Sequence, residues 1–187
     1  MIYYQNRYLA KHLGLNLAKW KRWSREFLPP DPLGGRQTGF ARQFSLKDAF
    51  RVYLAGFLVS ELKFSIPETR QVLSDLSGWL KEKGFDKLQI HPQEFPSPSE
   101  NGDAPWLIFI YSPLGRGFTY AFRQLRHTES MTEKSMCSET FSRTLLPAGD
   151  TDPFVDGRAV GVRVLAITAL YHEFVQRISS GITAAVR

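Results

Sequence analysis

Trp20, Trp23 and Phe27 stand at helical spacing, and the residues between them are all charged or polar. That pattern leaves one economical fold for the segment: a helix with an aromatic inner face and a basic outer face. At about 100° per residue, Arg22 and Arg25 fall opposite the aromatics, with Lys19 and Lys21 on the flanks. Asn16 suits the cap, because its side-chain oxygen can accept an orphan backbone N–H. Pro29 and Pro30 stop the helix. Upstream, Leu9, Ala10 and Leu13 share one side of a shorter helix, about Tyr8 to Leu13. Gly14 follows where a helix needs a left-handed residue at its C-terminal end. A short helix, a glycine turn and a basic second helix together predict a helix-turn-helix whose second helix enters a DNA groove. A lone helix of this kind is most often just a solvated surface helix, so the neighbouring segments decide between the readings.

The charge distribution favours the first. Residues 1–85 hold 14 Lys and Arg against 7 Asp and Glu, a net +7, whereas residues 86–187 hold 10 against 11, a net −1. The whole +6 of the 187-residue chain therefore comes from its first half, which predicts a polyanion-facing N-terminal part and a C-terminal part with another role.

Between Asp31 and Gln43 the chain reads DPLGGRQTGFARQ. Three glycines and a proline mark a loop or hairpin. Arg36, Gln37, Thr38 and Arg42 give it the character of a wing lying on the phosphate backbone or in the minor groove. An ordinary surface loop has similar composition. Ser45 with Asp48 opens the next predicted helix, Leu46 to about Leu62. Ser65 with Glu68 forms a full capping box for another, Ile66 to about Lys83, which Gly84 ends. The intervening turn, Lys63 to Ser65, is a candidate second backbone contact.

Taken in order, YLAKHLGL, KWKRWSREFLPP, GFARQFSLKD and LKFSIPETRQVL make residues 3–83 resemble the winged-helix DNA-binding domain of the mercury-resistance-regulator (MerR) superfamily. Gly39-Phe40 and Phe44-Ser45-Leu46-Lys47-Asp48 fit the family's wing-to-helix stretch, with Arg42 one place later than that pattern has it. The Arg-Trp form of the second helix is closer to excisionase-like proteins. The resemblance implies a dimer that distorts its operator. It covers under half of the chain, and the family's long coiled-coil helix is not evident after residue 85.

Residues 86–105 are rich in Pro and Ser and read as a linker. Beyond them, Trp106–Tyr111 and Phe118–Arg123 read as a strand pair around a Gly-Pro turn, and Thr140–Leu146 as a third strand. Val160 to about Ile178 reads as a helix with a wide apolar stripe, facing the sheet or a second copy of the chain. Trp106, Phe109, Tyr111, Phe118, Tyr120 and Phe122 are either plain core or an aromatic face for a flat ligand.

Little else carries chemistry. Cys137 is the single cysteine, so no intrachain disulfide or Cys/His zinc framework can form. None of His12, His91, His127 and His172 has a partner at metal-ligand spacing. No enzyme activity, metal or cofactor is expected, and any cofactor-binding residues are unknown. With no run of 18 apolar residues and no signal-peptide core, the expected location is cytoplasmic, on the nucleoid, with no membrane partner.

The expected fold class is α+β, a winged helix-turn-helix domain followed by a small α+β domain with an antiparallel sheet and a C-terminal helix. The expected boundaries are 1–85 for DNA binding, 86–105 for the linker, and 106–187 for dimerisation or ligand sensing. The expected function is a sequence-specific, double-stranded DNA-binding transcriptional regulator of MerR-like type. The alternative is an architectural or excisionase-like recombination accessory protein. Double-stranded DNA, a homodimer partner and a small-molecule effector are the partners this implies. Lys19, Lys21, Arg22, Arg25, Arg36, Gln37, Thr38 and Arg42 are the candidate DNA-binding residues.

Overall fold

The computed structural model describes residues 3–31, 42–86, 105–111, 117–128, 136–145 and 161–185. The chain is a mixed helix and sheet protein. It divides into two compact units, one made of Met1–Pro92 with Tyr171–Arg187 and the other of Gln93–Leu170.

The first unit opens with strand β1 (Tyr4–Gln5), helix α1 (Asn6–His12) and helix α2 (Leu17–Phe27). Strand β2 (Gln43–Phe44) pairs antiparallel with β1, Tyr4 opposite Phe44. Helices α3 (Leu46–Ser60) and α4 (Ile66–Glu82) follow. Local sequence accounts for most of these boundaries. Ser45 and Asp48 close a capping box on α3, and Ser65 and Glu68 close one on α4. Gly14 and Gly84 take positive φ, at 67° and 80°. Each ends its helix with a paired set of backbone bonds. Leu15 N–H donates to the Ala10 carbonyl at 2.8 Å and Gly14 N–H to Lys11 at 3.2 Å; Phe85 and Gly84 repeat the pattern on Leu80 and Lys81.

The core of this unit gathers Leu9, Leu13, Trp20, Phe44, Leu54, Leu58, Val72 and Leu76, all 0–1 % exposed. Helix α3 contributes its whole apolar stripe, including Gly56, which lies against the Trp23 ring. A Cβ placed on Gly56 would come within 2.1 Å of Trp23 Cζ3. This mid-helix glycine, a weak helix former, is required by the close approach of an aromatic ring from another helix.

The second unit is built on a four-stranded antiparallel sheet of order β5-β4-β3-β6. Its strands are β3 (Trp106–Tyr111), β4 (Thr119–Thr128), β5 (Met136–Leu145) and β6 (Val162–Leu165). Strand β6 falls where the sequence predicts the start of the last helix. Its alternating Val162, Arg163, Val164, Leu165 pairs with β3, Ile108 opposite Leu165. Helix α5 (Ile167–Ala185) begins only after Ala166, whose carbonyl accepts the Leu170 N–H at 3.0 Å. Four consecutive β-branched or long apolar-stem residues satisfy both a strand and a helix pattern, and the free edge of β3 selects the strand.

The register also divides the aromatics that the sequence offers as either core or a ligand face. Tyr120 and Phe122 stand opposite Ile110 and Ile108, while Phe109 and Tyr111 stand opposite Ala121 and Thr119. Side chains alternate along a strand, so Phe109 and Tyr111 lie on the other face from Tyr120 and Phe122. Trp106, opposite Gln124, lies with Tyr120 and Phe122, so the six aromatics divide between the two faces.

The last helix differs most from expectation. From Tyr171 on it belongs with the first unit. Phe174 is fully buried, its ring centroid 5.3 Å from that of Phe50 and 5.5 Å from that of Tyr53 on α3. Tyr171 meets Phe50 and Phe85 edge-on, at 5.4 Å in each case. The stripe read as sheet-facing or dimer-forming is therefore satisfied within the chain. Phe174 is core, not an interface anchor. Among the described residues, no helix is long and apolar enough to cross a membrane.

Candidate nucleic-acid interface

Helix α2 is held on three sides, and those contacts decide what it exposes. At its start the Asn16 side chain accepts the Ala18 N–H at 2.8 Å and the Lys19 N–H at 3.4 Å. Along its inner face Trp20 is fully buried, packs edge-on against Phe44 at 5.6 Å, and donates Nε1–H to Asn6 Oδ1 at 3.1 Å. Trp23 and Phe27 are buried beside it, 4 % and 5 % exposed.

At the C-terminal end, where carbonyls lack helical partners, two arginines from other helices supply donors. Arg51 Nε donates to the Phe27 carbonyl at 3.1 Å. Arg70 Nε donates to the Glu26 carbonyl at 3.0 Å, and its Nη2 reaches the Glu26 carboxylate at 2.6 Å. Arg51 and Arg70 therefore position the helix. Their role is invisible in sequence because 24 and 44 residues separate them from their partners.

What remains outward is basic. Lys19, Lys21, Arg22 and Arg25 are all exposed. Lys19 Nζ sits 4.7 Å from the centroid of the Trp23 ring, a cation–π contact that steadies its stem. Arg25 Nε donates to the Lys21 carbonyl at 3.3 Å. Ala18, also exposed, falls between the cations and adds no bulk to this face. The one acidic side chain of the helix, Glu26, is drawn aside by Arg70.

The turn between α3 and α4 lies beside this face. Lys19 and Arg22 share an open groove of about 570 Å³ with Lys63 and Ser65, and Glu61 is its single carboxylate. Lys63 takes a left-handed backbone, φ 58°, which is uncommon for a residue with a Cβ. Its ammonium donates to the Ser60 carbonyl, and Phe64 behind it is buried. The turn is thus a fixed projection of one cation next to those of α2.

Arg42 has a local role. Its Nη2 donates to the Pro29 carbonyl at 2.8 Å and its guanidinium lies 5.5 Å from the centroid of the Phe44 ring. It ties the chain entering β2 to the end of α2, with donors left over, since a guanidinium carries five N–H groups. Arg36, Gln37 and Thr38 lie outside the described residues. So the structure brings Lys19 and Arg22 together with Lys63, keeps Lys21 and Arg25 on the same helix, and gives Arg42 a partner in the protein.

Among the described residues, no three His, Cys, Asp or Glu side chains converge as a metal site would require. Compared with known proteins, the chain matches no family model and no curated sequence.

Proposed function

We propose that this chain is a sequence-specific, double-stranded DNA-binding transcriptional regulator of MerR-like type, reading DNA with the outer face of α2. One observation carries the reading. Trp20, Trp23 and Phe27 are spent on the core and Glu26 on Arg70, so α2 presents Lys19, Lys21, Arg22 and Arg25 outward without a competing carboxylate of its own. Such a face suits duplex DNA, where Lys and Arg neutralise phosphates and arginine forks can pair with guanine edges. Lys63 extends the cationic surface beyond the helix, as a second phosphate contact would. The two-fold symmetry of a homodimer would double these contacts on an operator of repeated half-sites.

The test is selection of bound sequences from a random duplex pool by the full chain, followed by titration of the winning site. A defined consensus is expected. Affinity should fall by about a thousandfold or more between low and moderate salt if six or more phosphates are neutralised. Arg22→Ala and Arg25→Ala should each weaken the selected site by about 1–3 kcal/mol and random DNA by less. Salt-insensitive binding, or no enrichment from the pool, would remove the proposal.

A further inference from the structure

Helix α4 contains a glycine that neither packing nor backbone geometry demands. Gly78 has an ordinary helical φ, and a Cβ placed on it would meet nothing within 4 Å. Glycine weakens a helix relative to alanine, so its presence in open space calls for another reason. Gly78 borders a groove of about 340 Å³ between α3 and α4, in the size range of small-molecule sites. The floor is apolar and well ordered by its own contacts: Phe50, Leu54, Leu73 and Phe85 are buried, and Phe85 stacks on Trp79 at 5.8 Å.

The rim is charged, and its charges are unevenly spent. Lys47, Arg51 and Lys81 face two carboxylates, Asp48 and Asp86. Asp48 is occupied by the Ser45 cap, and Asp86 meets Lys47 through Oδ2 at 3.4 Å while its Oδ1 is buried with no hydrogen-bond partner among the described residues. Arg51 uses Nε on the Phe27 carbonyl. Lys81 has no side-chain partner among the described residues. With three cations against two carboxylates, the mouth of the apolar groove is net positive by one charge.

We infer that the α3–α4 groove is a binding site for an amphipathic organic anion, an apolar ring-sized body with one carboxylate. The body lies on Phe50, Leu54, Leu73 and Phe85. The carboxylate meets Lys81 and the terminal nitrogens of Arg51. Gly78 keeps the mouth open. This site is separate from the outer face of α2, and its test needs no DNA.

The probe is 2-naphthoate, titrated calorimetrically into the full chain, with naphthalene-2-methanol as its neutral counterpart. Naphthoate should bind one-to-one with a Kd below about 1 mM, and the alcohol more weakly. Gly78→Leu should lower naphthoate affinity by about tenfold or more, while its Tm stays the same or rises, since leucine favours the helix and the space is open. Lys81→Gln should weaken naphthoate by about threefold and leave the alcohol unchanged, as an exposed ion pair allows. No binding by naphthoate, unchanged affinity in Gly78→Leu, or equal affinity for acid and alcohol would each overturn the assignment. So would a fall in sedimentation coefficient on Gly78→Leu, which would mean that a second copy of the chain fills the groove.

Discussion

At the scale of single residues, the two most informative positions are Gly56 and Lys63, because at each the local rule and the tertiary environment disagree. In an isolated helix, Gly56→Ala would gain about 1 kcal/mol of helix propensity. Here the new methyl would lie 2.1 Å from a carbon of the buried Trp23 ring, and relieving such overlap costs about 1–3 kcal/mol. Gly56→Ala should therefore lower the urea midpoint, and Trp23→Phe should reduce that loss by shortening the ring. Additive effects of the two substitutions would mean that the methyl at position 56 does not meet the Trp23 ring as described. Lys63 poses the opposite case. Glycine relieves a left-handed backbone of about 1–2 kcal/mol, so Lys63→Gly should keep or raise Tm. It should also weaken DNA binding, because a cation beside Lys19 and Arg22 is gone. A Lys63→Gly protein with lower stability and unchanged affinity would make the turn purely structural.

At the scale of elements, α5 from Tyr171 on is a structural part of the first unit. Besides burying Phe174 and Ile178, it reaches the α1–α2 turn: Arg177 Nη1 donates to the Leu13 carbonyl at 2.7 Å, and the Tyr8 hydroxyl donates to the Ile178 carbonyl at 3.3 Å. Arg177 thus caps the end of α1, just before the turn of Gly14, Leu15 and Asn16 that leads into α2. The packing of α5 on α3 also has a pH signature. Burial, then the nearby Glu173 carboxylate, raises the Tyr53 phenol above its ordinary 10.0, and burial alone raises Tyr171. A raised phenol pKa in the fold means that the folded state holds its protons more tightly than the unfolded chain does. That stability is complete below about pH 10 and is lost as pH rises through the folded values. The urea midpoint should fall as pH rises above about 10, and less steeply in Tyr53→Phe. An identical pH profile for the variant would show that Tyr53 does not couple to the fold.

At the scale of the molecule, the first unit is assembled from both ends of the sequence. A fragment of residues 1–85 carries every candidate DNA-binding residue but lacks Phe174, Val175 and Ile178, all buried in the whole chain. Apolar burial at about 1.5–3 kcal/mol per large side chain puts the loss at several kcal/mol. Residues 1–85 should therefore unfold at a much lower urea concentration than the full chain, with Phe50 and Tyr53 exposed. Equal midpoints would mean that α5 contributes nothing to this unit.

Local sequence alone determined the helices α1 to α4 to within two residues, together with their caps at Asn16, Ser45 and Ser65 and the left-handed glycines 14 and 84. It also determined the basic outer face of α2, because a 3.6-residue period and capping chemistry act within a turn or two of the chain. The positions of Lys19, Lys21, Arg22 and Arg25 opposite Trp20, Trp23 and Phe27 follow from that period. Only the tertiary structure decided the rest. Val162–Leu165 became a strand because β3 offered an unpaired edge, a fact more than fifty residues away in sequence. Phe109 and Tyr111 parted from Tyr120 and Phe122 because register, not composition, sets which face a side chain takes. Arg51, Arg70 and Arg177 became caps for distant carbonyls, and the stripe of α5 met α3, because apolar burial and orphan carbonyls are satisfied by whatever lies near in space. Sequence separation carries no record of that proximity.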